Sequence, residues 1–442
     1  MIGLEIATLT PSRSIGGPLS ASSFPPLFMD ARPVVSVIVP AYNASAVIEE
    51  TLRSALGQTL REIEVLVVDD GSTDDTAEVV GSVAEGDPRV HLIRQANAGV
   101  ATARNVAIAA ARGTYVAPLD ADDVWYPEKL AAQVARMERG GERMGMVYSW
   151  MVVIDEASRV VGGAFPCHAE GDLYLPLVYV NFLGCASVPL FRRSALDAVG
   201  GYDATLHERG GQGCEDWDLS LRVAAAYAVG CAPGHLVGYR EGHASMSRDI
   251  ETMVQSYELV MDRVKRERPG VSNDVLRWSE SNFRGYLASQ SFADGRYGTA
   301  LRLLAGAVAA DPTSLTGSYA VKLAARSVVG AVGAAVRGGT LGALGLEARA
   351  RAGWGDRPPT TLDAIERDRA ARGTPMPWAD SARPFSQIRS RRWRRLLRTP
   401  TPPAAGAAPA TMRRPEPGAA AGVPSLPASE DGAAREAADR RA

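Results

Sequence analysis

Short β-branched runs alternate with stretches of helical apolar spacing from Val34 to about Asp155. Val34-Val35-Ser36-Val37-Ile38-Val39 is the first run. Ala46 to Leu56 follows, with Val47, Ile48, Leu52, Ala55 and Leu56 on one stripe. The same periodicities predict strands over Ile63 to Val68, Val90 to Ile93, Tyr115 to Leu119 and Met146 to Ile154. They predict helices over Thr76 to Val83, Val100 to Ala111 and Pro127 to Glu138. Strands alternating with helices imply βαβ units. Near-continuous apolar strands imply a sheet covered on both faces. The expected fold class is therefore α/β, a mostly parallel doubly wound sheet over residues 33–250. Ligands bind such sheets beyond the carboxyl ends of the strands. Pro40-Ala41-Tyr42-Asn43, Asp69-Asp70-Gly71 and Asp120-Ala121-Asp122-Asp123 all fall at such ends.

The rest of the chain follows other patterns. Residues 156–250 are less regular. Residues 251–346 read as helical, and Leu287 to Pro312 looks like one tetratricopeptide-type helix–turn–helix. A lone unit lacks the neighbours that stabilise a repeat array, so a helical pair docked on the main domain is expected. Residues 347–398 are irregular and end in a basic segment, 389–398, with six arginines in ten residues. If that segment is helical, Trp393, Leu396 and Leu397 form one stripe. Its two readings are an anchor to an anionic membrane surface and a solvated start to the tail. Residues 399–442 have the composition of a disordered tail. Residues 1–32 read as a disordered leader rather than a signal peptide. Val328 to Val336 falls far short of the ~20 apolar residues of a spanning helix.

Composition narrows the class. The 442 residues suffice for two or three domains, and 46% apolar residues suffice for a large core. A net charge of −2 gives no reason to expect nucleic acid. Cys167, Cys185, Cys214 and Cys231 form no C-x-x-C pair, which fits a reducing cytoplasm and suggests no zinc site.

The chemistry concentrates in a few clusters. Asp120, Asp122 and Asp123 end a strand, and clustered carboxylates are stable when solvated or when a cation sits among them. Mg2+ or Mn2+ suits an all-oxygen site shared with substrate phosphates. The bland alternative is a solvated turn. In Asp69-Asp70-Gly71-Ser72-Thr73-Asp74-Asp75, Ser72 and Asp75 are spaced as a capping box, which leaves the two strand-end carboxylates unexplained. A carboxylate there could accept from a ligand N–H. Arg104 and Asn105 form a polar pair on a mostly Ala and Val helix, and pairing of Arg104 with Asp120 or Asp122 is one reading. Glu215-Asp216-Trp217-Asp218 puts acids in a helix's first turn, where the dipole favours them; the sharper reading is a general base beside an aromatic ring. His243, with Arg240 and Arg248, lies on a loop that could meet phosphate or metal.

Taken in order, these motifs resemble family 2 glycosyltransferases. They are Val35 to Asn43, Val67 to Asp74, Asn97-Ala98-Gly99, Ala103-Arg104-Asn105, Asp120 to Asp123 and Glu215 to Asp218. The resemblance covers roughly residues 33–250 and implies the GT-A fold of inverting enzymes. It implies that Tyr42 stacks on the nucleotide base and Asp70 hydrogen-bonds it. Asp120 would meet ribose or metal, and Asp122 the divalent ion. Asp216 would be the catalytic base and His243 would approach the diphosphate or metal. Pro40 and Arg104 join the expected donor site. A Q-x-x-R-W motif is missing near Asp216, so a non-processive transferase is expected. Its partners would be a nucleoside-diphosphate sugar and a carbohydrate or lipid-linked acceptor. Neither a nucleotidyltransferase's phosphate loop nor G-x-G-x-x-G follows the first strand. A degenerate scaffold that only binds remains the non-enzymatic alternative.

Overall fold

The computed structural model describes residues 32–163, 166–241, 249–316, 318–335 and 384–405. The expected leader, His243, Arg248 and most of the expected tail lie outside these residues.

The predicted alternation forms. β1 (Val35–Ala41), β2 (Ile63–Asp70), β3 (Val90–Gln95) and β4 (Tyr115–Pro118) are joined by α1 (Ile48–Leu56), α2 (Thr76–Gly86) and α3 (Val100–Ala110). β1 and β2 are buried along their whole length, as their unbroken apolar character requires. After β5 (Val124–Trp125) and α4 (Lys129–Gly140) come β6 (Met144–Ile154) and β7 (Val160–Gly163). The irregular stretch resolves into α5 (Tyr174–Tyr179), β8 (Leu190–Arg192), α6 (Arg193–Val199), α7 (Thr205–Glu208), α8 (Glu215–Ala224) and β9 (Ala228–Arg240).

These strands form one sheet in the order β3-β2-β1-β4-β8-β6-β9-β5, with β7 added to β6. The pairings make β1, β2, β3, β4, β6 and β9 point one way; the short β5, β7 and β8 run against them. The carboxyl ends of the six co-directed strands therefore share one edge. Pro40 is tolerated in β1 because the pairing with β4 has stopped at Ile38 and Pro118, so no neighbour lacks its N–H.

α9 (Ile250–Glu267), α10 (Asn273–Ala293), α11 (Tyr297–Ala310) and α12 (Ser318–Ala335) follow. Asp249 caps α9 by accepting from the Glu251 and Thr252 amides, and Ser272 caps α10. Gly295, at φ +74°, turns the chain from α10 into α11, the helical pair read from the sequence. An aromatic seam joins these helices to α8. Trp217 lies 5.8 Å from the Tyr257 ring, which stacks on Phe283 at 4.3 Å. Arg263 of α9 donates to Asp218 of α8 at 2.8 Å and pairs with Asp203.

The basic segment is helical, α13 (Pro384–Leu396), but its apolar stripe faces inward. Trp393 and Leu396 are buried; Trp393 meets Phe182 edge-on at 5.5 Å. Arg392 pairs with Asp311 and lies over the Trp278 ring at 4.2 Å. Two of the three residues expected to enter a membrane are thus spent on intramolecular packing, and Leu397 alone stays exposed. Residues 399–405, expected to begin a disordered tail, are docked instead: the Thr401 amide donates to Asp172 at 2.8 Å and the Ala405 amide to the Glu267 carbonyl at 2.8 Å. No helix among the described residues is long and apolar enough to cross a membrane.

Candidate active site

A cavity of about 1630 Å³ opens along the shared carboxyl edge. Tyr42, just past β1, stands 54% exposed on its wall. Its loop is stitched to the loop after β2. Asn43, in the left-handed region at φ +50°, donates its amide to Ser72 Oγ at 2.9 Å and accepts from the Thr73 amide at 2.8 Å. The Ala44 amide donates to Thr76 Oγ1 at 2.8 Å. Ser72 is therefore a loop fastener and forms no capping box with Asp75, which makes no side-chain cap bond. Asp74 takes the local turn instead. Hydrogen bonds from Thr76 and Ser45 outweigh its desolvation and hold its carboxyl at about 2.

Asp70 closes β2 and is 3% exposed. It accepts from Gln95 Nε2 at 2.7 Å and from the Ala98 and Gly99 amides at 2.8 and 2.9 Å. A carboxylate has about four acceptor positions, so roughly one is left for a ligand. Gly71 has φ +76°, and a Cβ there would sit 2.8 Å from the Asn97 amide nitrogen. Only glycine lets these two loops meet.

The three carboxylates after β4 do different work. Asp123 is fully buried; it accepts from Ser187 Oγ at 2.6 Å and from the Arg240 amide at 2.9 Å. It is structural, and the picture of three carboxylates around one cation reduces to two. Burial, and then the charges of Asp122 and Asp120, push its carboxyl well up. Asp120 accepts from Arg104 Nη2 at 2.5 Å while its amide donates to Ser187 Oγ at 2.9 Å. Asp122 lines the cavity, and burial followed by the Asp120 charge raises its carboxyl to about 6.

Arg104 has two readings from the sequence, a donor contact and an internal pair with Asp120 or Asp122, and the structure makes the pair with Asp120. Arg104 is 1% exposed on α3, over the Tyr202 ring, and bridges Asp120 to Glu215 Oε1 at 3.0 Å. It braces the strand end against α8. Asn105 exchanges two hydrogen bonds of 2.8 Å with the Tyr202 backbone and is likewise structural. Arg240, expected near phosphate, is 4% exposed and fully engaged. It donates to the Asp122, Asp155 and Glu156 carbonyls, to Glu50 at 2.7 Å and to Ser158 at 3.0 Å.

Asp216 lies half-buried in the first turn of α8, on the wall shared with Tyr42, Asp70 and Asp122. Its Oδ1 accepts from the Trp217 amide at 2.7 Å. Burial, and then the neighbouring Glu215 charge, raises its carboxyl to about 7, against the pull of Arg104. The sequence reading gave Glu215 no role of its own within the acidic cluster, and Ser187 escaped it. Glu215 sits beside Asp216 and could have been flagged by that adjacency. Ser187 carried no signal, because its partners are set by the antiparallel β8.

With this geometry in place, residues 36–199 match the family model described as Glycosyl transferase family 2. The α/β domain belongs to that family. Several relatives resemble parts of this chain. A UDP-Glc:alpha-D-GlcNAc-diphosphoundecaprenol beta-1,3-glucosyltransferase, WfaP of Escherichia coli, is 37% identical over 160 residues, 36% of this chain and 61% of its own length. A chondroitin synthase of Escherichia coli is 29% identical over 194 residues, 43% of this chain and 26% of its own. EpsJ, an uncharacterized glycosyltransferase of Bacillus subtilis, is 48% identical over 91 residues, 21% of this chain and 26% of its own. The chain thus spans 26% to 61% of these relatives' lengths. Among solved structures, S. aureus TarS 1-349 aligns over 77% of this chain and 92% of its own at 17% identity and a TM-score of 0.46. A mannosyltransferase from Pyrobaculum calidifontis in complex with GDP-Man and Mn2+ aligns over 83% and 86% at 20% identity and a TM-score of 0.38.

The glycosyltransferase domain carries a donor set that fits a shared metal site. Among the described residues no three His, Cys, Asp or Glu side chains converge to hold a metal unaided. Asp122, with Asp120 beside it, offers the one or two carboxylates that Mg2+ or Mn2+ usually takes from protein when substrate phosphates supply the rest. The raised carboxyl of Asp122 marks a negative charge that a cation would relieve.

Proposed function

We propose that this protein is an inverting glycosyltransferase that moves one sugar from a nucleoside-diphosphate sugar to an acceptor hydroxyl, in polysaccharide or cell-envelope glycan synthesis. One observation carries the reading. Asp216, an acid near neutrality, shares a cavity with an exposed aromatic ring and a strand-end carboxylate pair. A general base works best when its pKa lies near the operating pH.

In this reading Tyr42 stacks on the base and Asp70 receives a base N–H with its remaining acceptor position. Asp122 holds the divalent ion, with Asp120 positioned by Arg104. When bound, the metal neutralises charge on the leaving diphosphate. Asp216 takes the proton of the acceptor hydroxyl. That oxygen bonds to the anomeric carbon as the carbon–oxygen bond to the diphosphate breaks, so configuration inverts. The names of the relatives support a UDP-sugar donor and a lipid-linked or glycan acceptor.

The test is a panel of UDP, GDP and dTDP sugars with Mn2+. Thermal shift reads donor binding, and free nucleoside diphosphate reads turnover. Stabilisation by one donor class with slow nucleotide release is expected. Binding without any release, over the whole panel and with added glycan acceptors, would favour the degenerate scaffold.

A further inference from the structure

The cavity does not stop at Asp216. It continues past Trp217 along α10 and α12 and reaches Arg389 on α13. Asn282, Tyr286, Ser289 and Gln290 line this arm. They recur at i, i+4, i+7 and i+8, which places them on one face of α10. The opposite face, with Leu287, Ala288 and Phe292, is buried. This face carries large rings as well as one tie to α5, where Asn282 Nδ2 donates to the Tyr179 carbonyl at 2.9 Å.

Two such rings stand in the arm. Tyr286 is 42% exposed and Tyr319, on α12, is 54% exposed. Their hydroxyls are anchored: Gln290 Nε2 donates to Tyr286 Oη at 3.2 Å, and Ser289 Oγ lies 2.7 Å from Tyr319 Oη. Each ring is thus tethered at its polar end with much of its surface open. The arm is continuous with the base, since Trp217 lies 6.2 Å from Phe283 and Phe283 6.5 Å from Tyr286, ring to ring.

Rings flanked by hydroxyl and amide groups match one ligand chemistry. A pyranose presents a C–H face to an aromatic ring and hydroxyls to polar neighbours. A lipid tail would call for an unbroken apolar wall, which Asn282, Ser289 and Gln290 interrupt. We propose that this arm is an acceptor subsite for an oligosaccharide. Tyr286 and Tyr319 stack on successive sugar rings, Ser289 and Gln290 hydrogen-bond their hydroxyls, and the terminal sugar reaches Asp216. The acceptor is then an existing glycan chain. The proposal rests on the transferase reading, because it places the acceptor in the cavity that Asp216 lines.

The experiment uses the full chain and a panel of short dye-labelled oligosaccharides built from hexoses, N-acetylhexosamines and uronic acids. Binding is measured without donor, and UDP and GDP affinities are measured separately. Wild type should bind at least one class. Tyr286→Ser and Tyr319→Ser should each weaken that binding about 3- to 10-fold, the size of a stacking contribution, with nucleotide affinity unchanged. Tyr286→Phe, which keeps the ring, should bind within about twofold of wild type and controls for folding. Asp216→Asn should keep oligosaccharide binding. The proposal is overturned if wild type binds none of the panel, or if both serine variants bind as wild type does. Tyrosine-dependent saccharide binding in a protein that never releases nucleotide would uphold the subsite and sink the transferase reading instead.

Discussion

In the proposed mechanism one proton on Asp216 couples rate to stability. Its carboxyl is raised to about 7 by burial and by Glu215, so as a base it becomes competent as pH climbs through neutrality. kcat/KM should rise about tenfold per pH unit below 7 and level off above. A profile flat from pH 5 to 8 would remove Asp216 from the role. Asp216→Asn should keep donor affinity and lose about 10²–10⁴ in transfer. The linked stability effect has a definite sign. The folded pKa lies above the unfolded value of ~3.9, so the proton stabilises the fold at low pH, and that contribution is lost as pH rises through 7. Asp216→Asn should therefore be more stable than wild type at pH 8, by on the order of 1–2 kcal/mol for a partly solvated group, and should lose that advantage near pH 4. Asp122→Asn should fold normally and abolish the Mn2+ dependence of nucleotide binding, read by calorimetry; undiminished dependence would reassign the metal. The acids were visible in the sequence because they cluster at strand ends and in the first turn of α8. Of the partners that tell them apart, the Arg104–Asp120 pair was among the readings and the distant ones were not. Arg104 reaches Glu215 across 111 positions and Arg240 reaches Asp123 across 117, and spacing carries no trace of either.

Among the elements, β9 and α13 show how a local pattern can point to the wrong neighbour. The end of β9 delivers Arg240 into five carbonyl, hydroxyl and carboxylate acceptors. Arg240→Met should lower stability by about 1–3 kcal/mol, since a buried side chain and its bonds to five half-buried or exposed acceptors are lost. Urea denaturation measures it, and a loss under about 0.5 kcal/mol, the range of ordinary surface changes, would refute the clamp. In α13 the spacing of Trp393 and Leu396 did reveal an amphipathic helix. It could not say whether the stripe meets lipid or protein, because both are apolar. Trp393→Ala should cost about 3–5 kcal/mol, whereas a lipid-facing tryptophan would cost almost nothing in the absence of vesicles. Within α13 and the residues just after it, attraction to anionic vesicles would rest on the exposed Arg391, Arg394, Arg395 and Arg398, and should fade at high salt.

At the scale of the whole molecule, the first half of the sheet was legible and the second was not. From β1 to β3 each strand is followed by its helix, so periodicity alone orders β1 to β4. β9 instead carries Gly230, Gly234 and Gly238, which dilute its strand signal. Gly238 is needed because a Cβ there would meet Val124 Cγ2 at 2.7 Å. Its pairing with β6 also shifts register at three places. That pairing carries a consequence for how the chain assembles. Sequential strands zip up as they emerge from the ribosome, but β6 ends at Ile154 and its partner begins only at Ala228. Until then one flank of β6 is an open template for unwanted strand addition. The non-local closure is also the slow step expected of such topologies. Because Arg240 is the last residue of β9, the nascent chain can build the loops after β1 and β2 early, while the Asp122–Asp123 turn waits to be locked.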